Sequence, residues 1–493
     1  MTHRSFRWLA VGLVASGEAG LLTLAAMTNV SFAYGTPSPP LPPPIPVITE
    51  LMGGSGNPIP GITGSDDYLP GMENDFILPN LPGTNPVVLP TPEELYPLTG
   101  VKALPLDQSV NEGVTILNNA IQPDITAGTP VGVFGYSQSA IIASLEMEKL
   151  ADAGTPSDLA RFVLAANPLN PDGGLLERFG PSDLTGLVRP ELTLPSLGLD
   201  GYGVAPGIGD YFPATVYTGE YDGFADFPRY PIDFLSDLNA VFGIIYVHPH
   251  YDQYTVGPDG GQATPVADGG QAIQLPTEGP AETTYYMIPT ETLPLLAPLQ
   301  SIPLIGQPLY DLLEPDTRIL VNLGYGSIAD GWDSGPANLP TPFGFLPTDL
   351  NPSDVLTALE SGTQQGIQAF IECLTNPSCP LTQPSDVALS DPFATITTAT
   401  PPTSFTDVVN DLSSALSAAY ATLLPTADSV NALLTSIPAY DLDLFEDNLS
   451  SPVDAIGLPI AADTGLVTVI GGLDSLVFLG AAEQIAADFG FSL

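Results

Sequence analysis

The sequence predicts an α/β fold in which a mainly parallel sheet is covered by helices on both faces. Between about residues 47 and 326, short apolar runs typical of buried strands alternate with segments of helical period. This alternation favours parallel strands joined by helical crossovers. Hydrophobic residues make up 44% of the 493 residues, which is enough apolar material for a large core.

The elements are predicted in chain order from these runs. Strands are expected at 47–52, 131–134, 161–168, 214–222 and 317–326. Helices are expected at 140–154 and 231–246, and the first of these ends at Gly154, a typical helix stop.

Beyond about residue 345, Ala, Leu, Ser and Thr dominate the sequence. Helices are predicted there at 353–374, 405–424 and 475–491, and no pattern of catalytic residues accompanies them. We therefore predict a catalytic domain over 47–345 and a mostly helical C-terminal region over 346–493.

Residues 1–33 are typical of an export signal. A basic start (His3, Arg4 and Arg7) precedes an apolar stretch and small residues suited to cleavage. The apolar stretch is long for a signal peptide, so an uncleaved N-terminal anchor is the alternative. A Pro-rich linker over 34–46 follows. The segment predicts a secreted or anchored protein.

Charge excludes one class of partner. Nine Lys and Arg residues stand against 55 Asp and Glu residues, a formal net charge of −46. Such a polyanion is repelled by phosphate backbones, so we expect no nucleic-acid binding. The acidity itself indicates a soluble surface rather than a particular substrate.

The two cysteines, Cys373 and Cys379, lie close together in "CLTNPSC". In an exported chain this spacing predicts a local disulfide. With so few Cys and His ligands we expect no zinc site, and no metal or organic cofactor is required.

Ser137 is the candidate nucleophile. It occupies the centre of "GYSQS", which departs from the G-x-S-x-G elbow only at Ser139, a residue small enough for the tight turn. A buried strand before it and a helix after it are the context that the elbow requires. The alternative is that Ser137 only caps the helix.

A nucleophilic serine needs a histidine base, and the chain has three histidines. His3 belongs to the export segment, so the base must be His248 or His250. Both follow a predicted helix on the C-terminal side of Ser137, where an acid-then-histidine order places the base.

The acid that orients the base should follow a strand. Asp222, in "YTGEYDGFADFP", is the better match. Asp226 is the alternative, although it could instead cap the turn before Pro228, and Glu220 is a poorer third.

Backbone N–H groups must hold the oxyanion. The elbow predicts the N–H of Gln138 as one donor. The second is expected from the glycine-rich loop "LMGGSGNP", where Gly54 or Ser55 is the candidate. An ordinary glycine-rich turn is the alternative.

Several of these motifs, in order, resemble the PE-PPE domain family of serine hydrolases over about residues 47–330. The matching runs are "GGSGNPIP", "GYSQSA", "NPLNPDGGLLERF", "YVHPHY" and "LVNLGYG". The elbow is also similar to that of cutinases. The resemblance implies an α/β-hydrolase fold, esterase activity on acyl esters and a place in a lipid-rich cell envelope. It also implies that Ser139 is ordinary at its position, and its His-x-x-Tyr pattern selects His248.

The sequence thus predicts a secreted or envelope-associated serine esterase or lipase, with Ser137, Asp222 and His248 as its triad. Its partner would be an acyl-ester or lipid substrate, with possible membrane or envelope association, and the oligomeric state stays open. Relatives with an N-terminal anchor imply an alternative, acyl transfer between trehalose-type lipids with the same triad. An alternative of another class is a non-catalytic surface protein whose C-terminal helices bind a partner.

Overall fold

The computed structural model describes residues 46–65, 67–179, 192–199, 211–256, 263–265, 272–376, 379 and 404–491. The predicted export or anchor segment over 1–33 and all of the linker up to residue 45 lie outside the described residues. Both stay predictions.

The strands of the described residues are short. They are β1 (Ile48–Leu51), β2 (Asn85–Val88), β3 (Val131–Tyr136), β4 (Ala160–Ala165), β5 (Ala214–Gly219), β6 (Tyr254–Val256), β7 (Ala263–Pro265), β8 (Ile273–Gln274) and β9 (Thr283–Ile288). Short helices of the 3-10 or π type lie between some of them, including the 3-10 helix His248–Gln253.

The α-helices surround these strands and then continue alone to the C-terminus. They are α1 (Tyr68–Gly71), α2 (Leu78–Asn80), α3 (Leu106–Ala127), α4 (Gln138–Asp152), α5 (Leu175–Arg178), α6 (Phe234–Tyr246), α7 (Ala297–Gln300), α8 (Gly306–Leu323), α9 (Pro352–Thr375), α10 (Phe405–Ala421), α11 (Leu423–Leu434), α12 (Ser436–Asp447) and α13 (Pro452–Asp488).

Seven strands form one sheet in the order β2-β1-β3-β4-β5-β9-β8. Every neighbouring pair is parallel except β8 and β9 at one edge. β3 lies near the centre and all its residues are buried, as expected for a parallel strand covered on both faces. The α/β prediction is confirmed.

One predicted strand is wrong. Residues 317–326 were expected to extend the sheet, but most of them belong to helix α8, which packs against α9. Their apolar run is too short to separate a strand from a buried helix by periodicity, and packing decides between the two. The sheet position beside β5 is taken by β9, which the strand pattern did not identify.

The C-terminal helices share the main core with the sheet. Residues 44–493 form one compact unit, and Leu466 and Ile470 of α13 belong to the same buried cluster as Val133 of β3. Helix α13 is also much longer than the predicted 475–491. The division of the chain at residue 345 stays a prediction.

Glycines bring α13 close to the sheet region. A Cβ on Gly465 would lie 2.8 Å from the Phe179 ring, and one on Gly472 would lie 2.7 Å from the Val241 side chain. Gly457 meets an aromatic ring in the same way. Helix α13 therefore packs so closely against these side chains that larger residues on this face would not fit.

Among the described helices, α13 is the one with the length and apolar composition of a membrane span, with a mean hydropathy of 1.8 over 18 residues and 39% of them buried. Core helices of soluble proteins can have the same length and composition, and α13 packs on α6, α10 and α12.

Elsewhere in the helical region, Cys373 and Cys379 form a disulfide with Cα atoms 5.2 Å apart.

Candidate active site

Ser137 lies at the sharp turn between β3 and α4. Its backbone has φ 56° and ψ −115°, a conformation that non-glycine residues adopt rarely and at a cost. The side chain does not cap α4 through a hydrogen bond. The turn therefore presents the Ser137 hydroxyl instead of using it to end the helix.

The residues on either side of Ser137 make the turn possible. A Cβ on Gly135 would lie 2.4 Å from the Ser139 carbonyl oxygen, so only glycine fits. The Ser139 hydroxyl accepts a hydrogen bond from the Tyr136 N–H at 2.8 Å and donates to the Tyr136 carbonyl at 3.1 Å. The sequence motif suggested that Ser139 is merely small enough, whereas its hydroxyl also fastens the turn.

A chain of hydrogen bonds joins three of the predicted residues. Ser137 Oγ lies 2.7 Å from His248 Nε2. On the other side of the ring, His248 Nδ1 lies 2.8 and 2.9 Å from the two carboxylate oxygens of Asp222. Asp222 is fully buried and His248 is 2% exposed, so the chain is shielded from water. This arrangement can hold the imidazole with Nε2 free to accept the serine proton.

The alternative acids face elsewhere. Asp226 accepts from the Tyr221 N–H at 2.9 Å, and its burial raises its pKa well above the usual carboxyl value. Glu220 accepts from the N–H groups of Thr290 and Gly331 at 2.8 and 2.9 Å. Both carboxyls thus hold backbone loops near the end of β5.

The alternative base, His250, sits in the same helical turn as His248. Burial lowers the pKa of His250, and no hydrogen bond joins its ring to Ser137 or Asp222. The structure therefore brings His248, and not His250, to the serine.

Two tyrosines that the sequence reasoning missed support the histidine and the acid. The Tyr251 hydroxyl donates to Asp222 Oδ2 at 2.8 Å and accepts from the Gly219 N–H at 2.5 Å. The Tyr136 hydroxyl donates to the His248 carbonyl, and its ring stacks on the imidazole with centroids 5.8 Å apart. Tyr251 is the tyrosine of the His-x-x-Tyr pattern, which could have indicated its place but not its partner.

The glycine-rich loop after β1 lies against the serine. A Cβ on Gly54 would meet the Tyr136 ring at 2.9 Å and the Ser137 Cβ at 3.3 Å. The Ser55 hydroxyl donates to the Gln138 side-chain carbonyl at 2.7 Å. Within the described residues, the backbone N–H groups of Gly54, Ser55 and Gln138 donate to no other residue. They remain available to an oxyanion.

The backbone of Glu93, a residue with a buried side chain, supports this loop. The Glu93 carbonyl accepts from the Gly56 N–H at 2.7 Å, and its carboxyl accepts from the Thr91 hydroxyl at 2.7 Å. Desolvation by burial raises the pKa of Glu93 to about 8. The loop is thus held by the backbone of a residue whose buried carboxyl is protonated near neutral pH.

Ser137 opens into an apolar cavity of about 130 Å³. Ser137, Ser55 and Gln138 are among the residues that line the cavity. Most of the other lining side chains are Leu, Ile, Val or Phe, two (Thr193 and Ser436) carry a hydroxyl, and none is charged. The site can therefore place a reactive hydroxyl beside a hydrocarbon group and exclude water from it.

Comparison with known proteins identifies the family of this arrangement. Residues 82–326 match the PE-PPE domain, a stretch that carries Ser137, Asp222 and His248. The chain is a PE-PPE domain protein. The PE-PPE domain match ends within the loop that follows α8, before helices α9 to α13 begin.

Three relatives of this PE-PPE domain protein come from Mycobacterium tuberculosis. The uncharacterized PPE family protein PPE28 is 40% identical over 465 residues, covering 89% of this chain and 66% of that protein. Esterase PE16 is 41% identical over 310 residues, covering 61% of this chain and 52% of the esterase. SL1278 acyltransferase Chp1 is 30% identical over 157 residues, covering 31% of this chain and 34% of the acyltransferase.

The chain therefore spans about two thirds or less of the length of these relatives. No solved structure matches it.

Proposed function

We propose that this protein is a serine esterase or lipase that cleaves carboxylic esters through a triad of Ser137, His248 and Asp222. The observation that carries the proposal is the hydrogen-bonded chain from Ser137 Oγ through His248 to Asp222, together with the apolar cavity that Ser137 lines. Similarity to an esterase over 310 residues supports the same class of reaction.

In the first half of the reaction, Ser137 Oγ attacks the ester carbonyl while His248 Nε2 takes its proton. The backbone N–H groups of Gln138 and of Gly54 or Ser55 stabilise the negative charge on the carbonyl oxygen. The C–O bond to the alcohol then breaks, and His248 returns the proton to the departing oxygen. An acyl group remains on Ser137.

In the second half, water attacks the acyl carbonyl while His248 takes its proton. The bond between the acyl carbon and Ser137 Oγ then breaks, His248 returns the proton to Ser137 Oγ, and the acid is released. Asp222 holds the ring orientation and stabilises the imidazolium in both halves. The chain's own residues supply every proton transfer in this scheme.

Acyl transfer is the second candidate, because a sugar hydroxyl can replace water in the second half. The similarity to SL1278 acyltransferase Chp1 and to diacyltrehalose acyltransferase Chp2, 30% and 28% identical over short stretches, favours keeping it. We also propose secretion or envelope association, on the basis of the N-terminal sequence pattern.

The test uses purified protein with p-nitrophenyl esters and a fluorophosphonate probe. Wild-type protein is expected to hydrolyse the esters and to be labelled once, and Ser137→Ala is expected to lose both with an unchanged unfolding temperature. The control is Ser144→Ala, a buried serine on α4 whose hydroxyl donates to the Ala140 carbonyl of that helix and accepts from the Asn167 side chain.

A folded wild-type protein that neither turns over esters nor reacts with the probe would remove the proposal. Equal activity in Ser137→Ala would remove Ser137 from the mechanism. Product analysis with an acylated trehalose donor and a trehalose acceptor then separates hydrolysis from transfer.

A further inference from the structure

We propose that the C-terminal helices α11 to α13 build the far wall of the acyl-chain site, so that the substrate carries a long alkyl acyl chain whose length limit α13 sets. The proposal deepens the esterase proposal and rests on it. It assigns a substrate-binding role to a region that lies beyond the matched PE-PPE domain.

The cavity is shared between the two parts of the chain. Its reactive end contains Ser137 and Gln138, and Ile141 of α4 continues it. Another part of the lining comes from helices that begin about 300 residues later in the chain. These lining residues are Ala432, Ser436, Ile437, Leu466, Val469, Ile470 and Leu473, all apolar except Ser436.

The chemistry of this lining selects an alkyl chain. A sugar or peptide in the cavity would leave its polar groups without hydrogen-bond partners, at a considerable cost. A methylene chain has no such groups, and each buried methylene improves binding about fourfold. The acyl portion of the ester therefore fits the cavity, and the polar alcohol portion must stay outside it.

The far wall is fixed in position. Gly465 brings α13 against Phe179, which itself lines the cavity. The Asp428 carboxylate of α11 accepts from the Ser196 N–H at 2.6 Å, and the Ser429 hydroxyl donates to Asp474 of α13 at 3.0 Å. A wall held by these contacts can impose a limit on chain length.

The test narrows the cavity from the C-terminal side. Val469→Trp places a large ring at a lining position, whereas Val467→Trp places the same ring at a position that is 48% exposed on the same helix. The measurement is the ratio of kcat/KM for p-nitrophenyl dodecanoate to that for p-nitrophenyl acetate. Val469→Trp is expected to lower this ratio at least tenfold relative to Val467→Trp. Equal ratios in the two folded variants would overturn the proposal.

A second variant covers the case in which Val469→Trp does not fold. Ile470→Ala enlarges the same wall and is expected to raise turnover of the hexadecanoate relative to the dodecanoate about threefold. An unchanged chain-length profile in folded Ile470→Ala would equally overturn the proposal.

Binding separates this proposal from the proposed reaction. Ser137→Ala protein is titrated with cis-parinaric acid, a fluorescent long-chain fatty acid, with and without Val469→Trp. Tighter binding without the tryptophan supports an alkyl site even if no ester is hydrolysed. Equal binding, or no binding by either protein, would overturn the alkyl site whatever the outcome of the ester assays.

Discussion

The sheet region and the C-terminal helices bury different kinds of side chain. Around the sheet, fully or nearly buried charged residues include Asp222, Asp226 and Arg178, each with hydrogen-bond partners. The chain has no Lys, Arg or His after Arg318. Among the described residues of α10 to α13, the buried polar side chains are hydroxyls only, namely Thr422, Ser429 and Thr468.

The helical region also exposes large apolar side chains to solvent. Phe405, Tyr420 and Leu434 on α10 and α11 are between 70% and 84% exposed. Hydrogen-bond geometry thus specifies the sheet region, whereas shape and small residues specify the helical region. Changes to polar side chains should therefore destabilise the sheet region, and changes of side-chain volume should destabilise the helical region.

The largest effect is expected from Asp222→Asn. An amide at this position can hold His248 in the wrong tautomer, so kcat for ester hydrolysis should fall about 10⁴-fold. The matched variant is Asp226→Asn, four residues away and equally buried, which should keep kcat within a few fold. Similar losses in the two variants would show that burial of a carboxyl, rather than its bond to His248, is what the reaction needs.

The next effect is expected in the helical region from Gly465→Leu. The new side chain would collide with Phe179 and Pro231, and the free energy of unfolding should fall by about 3 kcal/mol. The control is Gly471→Leu, because nothing lies within 4 Å of a Cβ at that position of α13. Urea unfolding of both variants measures the difference, and an equal loss would contradict close docking at Gly465.

A smaller effect is expected from Tyr251→Phe. Loss of the hydroxyl removes a charge-assisted hydrogen bond from Asp222, which should lower kcat about tenfold and leave KM unchanged. The comparison is Tyr286→Phe, a ring that stacks on Tyr217 in the same sheet. If KM rather than kcat changed in Tyr251→Phe, the tyrosine would act on substrate binding instead.

The last effect is expected from Glu93→Gln, acts on stability rather than on turnover, and depends on pH. The pKa of Glu93 is about 8 in the folded protein against an ordinary 4.5, so the folded state holds the extra proton and stability falls as pH rises between these values. Glutamine stays neutral, so the stability of the variant should rise relative to wild type as pH increases from 5 to 8. Thermal unfolding at pH 5 and pH 8 checks this: a difference that did not grow with pH would contradict a protonated Glu93.

The difference between the regions also explains what the sequence could predict. Ser137 lies in a local motif, and histidine is so scarce that few bases were possible. The choice between Asp222 and Asp226 stayed open, because the sequence does not show which of two carboxyls four residues apart faces the His248 ring. Tyr251 was missed because its role is a contact with Asp222, 29 residues away in the chain.

The C-terminal contribution to the cavity was beyond sequence reasoning for a related reason. Apolar helices of Ala, Leu and Ile are alike by composition whether they line a cavity or fill a core. Only tertiary packing distinguishes the two: α13 packs on α6 and lines the same cavity as Ile141 of α4. The strand prediction at 317–326 failed in the same way, since a short apolar run depends on its neighbours.

The long separation between the two sides of the cavity has a consequence for biogenesis. A ribosome or export channel delivers Ser137 well before residues 466–473, and contacts between such distant segments form late. The sheet and its hydrogen-bonded residues can assemble first, with an apolar face still open to solvent. Helix α13 covers that face last. A chain truncated before α13 would therefore leave apolar surface exposed and prone to aggregation, and would not be a functional shorter enzyme.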